Sequence, residues 1–211
     1  AFKLHFRSKR DTTQSCFIPK NALTEQGIYH TIAGKLKFTE REHLKGEHGD
    51  CRLLREYGRW YVIVPLTLGK CATGAESQGT VALDPGVRTF LTYFSDDGRF
   101  GQFGHGCTER LIRLEHKIDS LKSLRDTAKD KHKKSNLSRS IGKVQAHIKD
   151  LVDELHWKCA LYLASGYGMV YLPTYETSNM VHKDGRKIPK SVVRAMNALS
   201  PYKFSVRLGE K

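Results

Sequence analysis

Short apolar runs separated by polar segments occupy the N-terminal part of the chain. Two of them flank a Glu-Tyr-Gly turn at residues 56–58, which predicts a β-hairpin. A small, polar stretch at residues 69–78 follows, and we place a domain boundary at its end. Several short strands with such connections are typical of a small barrel or curled sheet. The predicted strands cover residues 2–7, 16–19, 52–55 and 60–66.

From residue 79 onward the pattern of apolar residues changes to one of strands followed by long helices. Apolar residues at 80–84, 87–94 and 100–103 predict three strands, with an Asp-Gly turn before the last one. Further along, apolar residues step by three and four positions, which predicts two long amphipathic helices. These positions are Leu111, Leu114, Ile118 and Leu121, and then Ile141, Val144, Ile148, Leu151, Leu155, Cys159 and Tyr162. Residues 129–140 are rich in Lys, His and Ser, and we interpret them as the polar connection of an antiparallel helical hairpin.

The C-terminal part contains one more strand and one more helical pattern. An apolar strand at 169–172 follows the hairpin, and the tail has a helical period around Val193 and Met196. An antiparallel meander, then helices, then another strand is the element order of an RNase H-like core. The sequence therefore predicts a mixed α/β protein. It consists of an N-terminal β-barrel (residues 1–78) and an RNase H-like core with an inserted helical hairpin (residues 79–211).

Net charge narrows the class of partner. The 211 residues include 36 Lys and Arg against 22 Asp and Glu, a formal net charge of +14. Such an excess favours a polyanionic partner, most commonly nucleic acid, over an ordinary basic surface. No apolar run approaches the roughly 20 residues of a membrane span, so we expect a soluble protein without a membrane partner. The five cysteines include no Cys-x-x-Cys pair, which favours reduced thiols over a zinc ribbon or a disulfide framework.

Two carboxylates stand just past apolar strands. Asp84 ends the strand at 80–84 and enters a Pro-Gly turn, and Glu176 follows the strand at 169–172. Taken alone, Asp84 could be a turn former and Glu176 a solvated loop residue. Their joint placement at strand exits favours a divalent-metal site for phosphodiester hydrolysis. Carboxylate oxygens suit Mg²⁺, with Mn²⁺ as a substitute, so we predict that Asp84 and Glu176 are catalytic metal ligands.

Ten basic residues are predicted to contact nucleic acid. Arg88 follows Asp84 by four positions, and it either contacts phosphate or pairs with a nearby acid. The run at 131–139 is either a solvated connection or a backbone-binding surface, and the basic tail suits backbone contacts. The ten residues are Arg88, Lys131, Lys133, Lys134, Arg139, Lys183, Arg186, Lys187, Lys190 and Arg194. His156, near the apolar stripe of the second helix, is interpreted as a core histidine.

Several segments resemble a known family. The sequence Val-Ala-Leu-Asp-Pro-Gly-Val-Arg-Thr-Phe at 81–90 closely resembles the first RuvC motif of the TnpB/OrfB nucleases of transposons and of their eukaryotic relatives, the Fanzor proteins. Residues 172–181 resemble their second motif, and 200–208 resemble the segment that follows it. Residues 6–11 and 14–19 resemble their wedge-type β domain. The long form of the first motif is closer in style to Fanzor.

The resemblance implies an RNA-guided DNA endonuclease with a RuvC-type, two-metal mechanism. A guide RNA derived from the transposon end would pair with the target DNA, and the protein would read a short flanking motif. Asp84 and Glu176 map onto the first two metal ligands. The domain at 1–78 would be wedge-like, and the RuvC domain at 79–211 would be incomplete. The family's four-cysteine zinc element and third motif are expected beyond Lys211, so Zn²⁺ is expected only there.

Two other functions stay open. A chain without the third carboxylate could be a catalytically inactive nucleic-acid-binding module derived from such a nuclease. A nuclease that acts without a guide, like resolvases or RNase H, is a third interpretation. We expect a nuclear location for a eukaryotic Fanzor and a cytoplasmic one otherwise. The oligomeric state is not predicted.

Overall fold

The computed structural model describes residues 11, 13–39, 48–66, 79–174, 181 and 188–210. The chain divides into two compact units, Ala1–Ala72 and Thr73–Lys211. The predicted strand at 2–7 and the predicted boundary after residue 78 fall on or beside residues outside the described ranges. Both sheets and helices are present, so the protein is mixed α/β. No helix within the described ranges is long and apolar enough to cross a membrane.

The first unit contains two small antiparallel sheets. Strands β1, β4 and β5 form one sheet in that order, and β2 pairs with β3. The elements are β1 (Thr13–Ile18), a 3₁₀ turn (Lys20–Ala22), β2 (Leu23–Thr24), β3 (Gly27–Ile28), α1 (His30–Ala33), β4 (Cys51–Glu56) and β5 (Arg59–Ile63). The predicted hairpin is confirmed: β4 and β5 meet at Tyr57 and Gly58, whose φ angles of 49° and 83° suit a type I′ turn.

The predicted barrel is not seen in the described part of this unit. The three-stranded sheet is open, and β2 and β3, of two residues each, pair only with one another. Such short strands cannot bridge the two edges of the larger sheet. The core of the first unit is small and lies at one end of β1 and β4. The buried apolar residues are Ile18, Ala22, Leu23, Ile28 and Cys51.

The second unit is built on a four-stranded mixed sheet. The strand order is β8-β7-β6-β9, in which β6 is antiparallel to β7 and parallel to β9. The elements are β6 (Thr80–Pro85), β7 (Leu91–Ser95), β8 (Phe100–Phe103), α2 (Cys107–Thr127), α3 (Lys131–Gly166), β9 (Met169–Tyr171), α4 (Lys190–Leu199) and α5 (Pro201–Gly209). The predicted meander, helical hairpin, final strand and tail helix are all present.

The connection of the helical hairpin is shorter than predicted. Residues 129–140 were expected to form it, but α3 begins at Lys131. The Asp130 side chain caps the new helix by accepting hydrogen bonds from the backbone N–H groups of His132 and Lys133. A polar segment without an apolar stripe therefore continues as helix, because a cap starts it and the packed part of α3 extends it.

One face of the sheet is buried against the helices. Val81 and Leu83 of β6 are at most 4% exposed, whereas Ala82 and Asp84, which alternate with them, are exposed. Side chains alternate along a strand, so the sheet has one covered face and one open face. The helical residues of this core are Leu111, Ile118, Ile141, Ile148, Val152, Cys159, Ala160, Leu163, Leu199 and Phe204.

A buried histidine joins the C-terminal helices to α3. His156 has no solvent exposure, as predicted for a core histidine. Its ring stacks on Phe90 with centroids 5.1 Å apart and meets Phe204 of α5 at 5.4 Å. Its Nε2–H donates to the carbonyl oxygen of Leu199 at 2.8 Å, and its Nδ1 accepts from Arg207 at 3.3 Å. Both ring nitrogens are therefore satisfied by the neutral imidazole.

Next to this histidine, Asp153 pairs with three cations from α3 and α5. The distances are 2.7 Å to Lys149, 3.1 Å to Lys203 and 2.7 Å to Arg207. Burial would raise the pKa of Asp153, but hydrogen bonds from these three cations outweigh it and lower the pKa to about 2. Burial lowers the pKa of His156 to about 4, and the charge of Arg207 adds to that effect.

These pKa values predict how the stability of the second unit depends on pH. Between pH 6.5 and about 4, the unfolded chain binds a proton at residue 156 that the folded protein excludes. The free energy of unfolding should therefore fall as the pH drops through this range, by at most about 3 kcal/mol. Below it, Asp153 adds a further loss between pH 3.8 and about 2. Urea unfolding at a series of pH values measures both effects.

The control for this prediction replaces the titrating ring. His156→Gln retains a donor and an acceptor but cannot titrate, so the slope between pH 6.5 and about 4 should disappear. The exposed His105→Gln variant should keep the slope of the wild type. An unchanged slope in His156→Gln would show that another group causes the pH dependence.

Candidate metal and nucleic-acid site

Asp84 lies on the open face of the sheet, near the C-terminal end of the central strand β6. It is in register with Thr92 of β7, and its side chain is exposed. Among the described residues, no side chain forms an ion pair or hydrogen bond with its carboxylate. Asp84 is paired with β7, and β9 pairs with the preceding residues of β6 at 80–82, so the sheet fixes the backbone that carries this carboxylate.

The turn after Asp84 is closed by the residues that follow it. The N–H of Gly86 donates to the carbonyl of Phe90 at 3.1 Å, and the Thr108 hydroxyl at the start of α2 donates to the carbonyl of Val87. The predicted strand at 87–94 is therefore wrong in its first half, and β7 begins at Leu91. Within residues 87–90, the carbonyl of Phe90 is bonded inside the turn and the carbonyl of Val87 is bonded to α2, so neither takes part in the sheet.

Strand β9 leaves the sheet at the same end as Asp84. It is parallel to β6, with Ala82 in register with Tyr171, so both strands run towards the same edge. The chain is then described as far as Thr174. Glu176, the second predicted ligand, follows two positions later and lies outside the described residues.

The described residues contain no group of three or more His, Cys, Asp or Glu side chains that could hold a metal ion. Of the two predicted ligands, the structure therefore gives the position of Asp84 alone. Its donor type, an exposed carboxylate on a rigid strand, fits a hard cation such as Mg²⁺.

The open face also carries large apolar side chains that the sequence analysis did not single out. They are Phe94, Phe100, Met169 and Tyr171, which are 52–78% exposed. Strand register places them on the face of Ala82, because Phe94 pairs with Ala82 and with Phe100. The alternation within the strands was the available signal, but the buried face is equally apolar, so the pattern alone does not identify the open side.

The basic residues predicted from the sequence fall in separate places. Arg88 is exposed in the turn after Asp84, and Lys190 is exposed at the start of α4. Four lie exposed in the first three turns of α3: Lys131, Lys133, Lys134 and Arg139. Three lie outside the described residues: Lys183, Arg186 and Lys187.

Arg194 has a structural contact of its own. Its guanidinium forms a bidentate ion pair with Asp119 of α2, at 2.7 and 2.8 Å. Glu115 lies 4.0 Å away on the same helix. This pair joins α4 to α2, and hydrogen bonding from Arg194 lowers the pKa of Asp119. The nucleic-acid contact predicted for Arg194 stays a prediction.

In the first unit, aromatic side chains line a groove of about 1110 Å³. Trp60 and Tyr61 of β5 are 64% and 40% exposed, and the guanidinium of Arg55 lies 5.7 Å from the Trp60 ring centre. Rings in this environment offer flat surfaces beside a positive charge. Such surfaces suit stacking on unpaired bases.

The known proteins that are similar to this chain are named as transposases or as TnpB-like proteins. No protein-family model matches the chain. The chain is 32% identical to the mimivirus (Acanthamoeba polyphaga mimivirus) protein named "Putative transposase R186" over 126 residues, covering 57% of the chain and 26% of that protein. It is 26% identical to "Putative transposase A625R" of Paramecium bursaria Chlorella virus 1 over 170 residues, covering 77% of the chain and 36% of that protein.

TnpB appears in the name of a third relative. The mimivirus "TnpB-like protein L79" is 21% identical over 154 residues, covering 71% of the chain and 29% of that protein. The chain thus spans about a quarter to a third of the length of the curated relatives it matches. These similarities support the resemblance to the TnpB/OrfB family. They do not distinguish Fanzor proteins from other members.

The turn after Asp84 yields a prediction about residue 86. A Cβ at Gly86 would lie 2.7 Å from the backbone oxygen of Thr89, so Gly86→Ala must displace the turn. We expect a loss of about 1–3 kcal/mol in the free energy of unfolding. Gly166→Ala is the control, because a Cβ there has no neighbour within 4 Å. Thermal unfolding that is equally unaffected in both variants would show that the turn tolerates a side chain.

Proposed function

We propose that the chain is the RNase H-like, RuvC-type core of a TnpB-family protein, a transposon-encoded, RNA-guided DNA endonuclease. The observation that carries this proposal is the placement of Asp84. It lies at the end of the central strand of a β8-β7-β6-β9 sheet, at the edge where the parallel strand β9 also leaves. An acidic residue at this point of such a sheet matches the metal site expected from the sequence. The similarity to proteins named as transposases and TnpB-like proteins supports the same family.

Asp84 and Glu176 would hold the divalent metal. The Asp84 residue is exposed, and strand alternation places it on the face of the sheet opposite the buried Val81 and Leu83. Mg²⁺ binds through one or two carboxylates and completes its shell with water and phosphate oxygens. When bound, the metal would activate water and stabilise charge on the phosphodiester. The contribution of the chain is to fix the ligand: the sheet sets the position of Asp84, and the turn through Gly86 directs the chain away from the open face.

The partners in this proposal are a guide RNA and its target DNA. Base pairing with the guide would select the sequence, and the protein would hold the backbones and read shape. The net charge of +14 supports such polyanionic partners. The exposed aromatic rings of the first unit are candidates for contacts with unpaired bases.

The proposal predicts that metal-dependent cleavage depends on Asp84. The RNA-bound protein should cut labelled target DNA in Mg²⁺, and Asp84→Asn should reduce the rate by about a thousandfold or more, because a charged metal ligand is lost. The amount of RNA that copurifies should not change. Glu154→Gln is the control, since it removes an exposed carboxylate whose partner is Lys158 of the same helix.

The other outcomes identify the alternatives. Equal cleavage by Asp84→Asn and the wild type would reject the proposed metal site. RNA binding without any cleavage would favour the catalytically inactive binding module. Cleavage that does not need a matching guide would favour a resolvase-like or RNase H-like enzyme.

A further inference from the structure

The distal half of the helical hairpin contributes no buried residue to the core. The last buried residue of α2 is Ile118, and the first buried residue of α3 is Ile141. We call the segment between them, residues 119–140, the hairpin arm. Its α2 part has nine residues and its α3 part ten, so the arm extends about 13–15 Å along the helix axes. None of its residues is buried; Leu121 packs partly buried against the core, and the other residues of the arm lie outside that cluster.

The arm is strongly basic, and its acids are already engaged. Asp119 pairs with Arg194 at 2.7 Å, Asp126 pairs with Arg125 at 3.0 Å, and Asp130 caps α3. The arm contains seven cations: Lys122, Arg125, Lys129, Lys131, Lys133, Lys134 and Arg139. For the last five, no ion pair with a carboxylate occurs among the described residues. The arm therefore presents a net positive surface that internal pairing does not neutralise.

The positions of the lysines are unfavourable for the free protein. Lys131, Lys133 and Lys134 occupy the first turn of α3, which contains no acidic residue. The N-terminus of a helix carries a partial positive charge, so cations there are repelled. Mutual repulsion among neighbouring lysines adds to this cost. Surface lysines whose only role was solubility or helix stability would be better placed elsewhere on the helix.

The type of anion follows from the side chains that the arm lacks. Residues 119–140 include no Phe, Tyr or Trp, and His132 is their one ring, so the arm offers little surface on which unpaired bases could stack. Lysine binds phosphate as a point charge, and such contacts fix the position of a protein on nucleic acid without carrying sequence information. The contacts available to the arm are therefore contacts to a sugar-phosphate backbone.

We propose that the hairpin arm binds the phosphate backbone of double-stranded nucleic acid through Lys131, Lys133 and Lys134, with Lys129 and Arg139 beside them. The proposal rests on the proposed function only in that nucleic acid is the partner, and it does not depend on cleavage. A duplex concentrates the charge of two strands on one rigid surface, which suits a cluster of cations at the end of a rigid arm.

The test is the salt dependence of binding. The arm variant Lys131→Gln/Lys133→Gln/Lys134→Gln is titrated against a labelled RNA–DNA hybrid of about 20 base pairs and against a single strand of equal length. We expect the slope of log K against log salt to become shallower by about 2 to 3 for the hybrid. Each phosphate contact that the variant lacks lowers the number of counterions released on binding. The affinity for the hybrid should fall about tenfold or more at moderate salt, with a smaller change for the single strand.

The matched control removes the same charge from cations that are already paired. In Arg99→Gln/Lys158→Gln/Lys203→Gln, each replaced side chain lies outside the arm and forms an ion pair with a nearby carboxylate, so the slope should change little. Thermal unfolding of the arm variant should occur at the same temperature as in the wild type or a higher one, because the first turn of α3 is relieved of repulsion.

Each remaining outcome counts against the proposal. An unchanged slope in the arm variant, with normal binding by the wild type, would reject the arm as a contact and leave the proposed function standing. An equal loss in the arm variant and the control would indicate a non-specific effect of net charge. Failure of the wild-type protein to bind either probe would instead contradict the proposed function itself.

Discussion

The parallel pairing of β6 with β9 is the contact on which the second unit depends. It joins residues 80–82 to residues 169–171, and no other strand pair in the described chain closes so long a loop. Parallel neighbours need a crossover connection, and here the connection contains β7, β8 and the whole α2–α3 hairpin. The hairpin must return across one face of the sheet to deliver β9, so it covers that face and leaves the other, with Asp84, open. The burial of one face of the sheet and the exposure of the candidate ligand on the other face are thus two results of one topological requirement.

Much of this architecture was predictable because the hydrophobic period changes clearly from two to between three and four. The β4–β5 hairpin, the meander and both long helices follow from that period. The errors came where local hydrogen bonding overrides it. Residues 87–90 look like a strand but close a turn through Gly86 and Thr108. Residues 131–140 look like a loop, because this part of α3 contains no buried residue and hence no apolar stripe to reveal the helix.

The candidate site was predictable only in part, for a related reason. A carboxylate at a strand exit can be read from the sequence, and Asp84 is at such an exit. The roles of charged residues that pair over long distances cannot be read in this way. Arg194 looked like one more cation of a basic tail, yet it holds α4 to α2 through Asp119, 75 positions away. Asp153 likewise gathers Lys203 and Arg207 from a distant helix. Partly buried acids such as Asp119 and Asp153 therefore organise the fold, while five cations of the hairpin arm have no carboxylate partner among the described residues.

The two tryptophans have a practical consequence for the study of this molecule. Trp60 belongs to the first unit and Trp157 to the second, and each ring lies beneath an arginine, at 5.7 Å from Arg55 and 5.0 Å from Arg207 respectively. Indole emission responds to a nearby guanidinium and to solvent. Because each unit contains one indole, a Trp60→Phe protein emits from the second unit alone and a Trp157→Phe protein from the first. Intrinsic fluorescence can therefore follow the separation of α5 from α3 in the second unit independently of unfolding in the first unit, without an added dye.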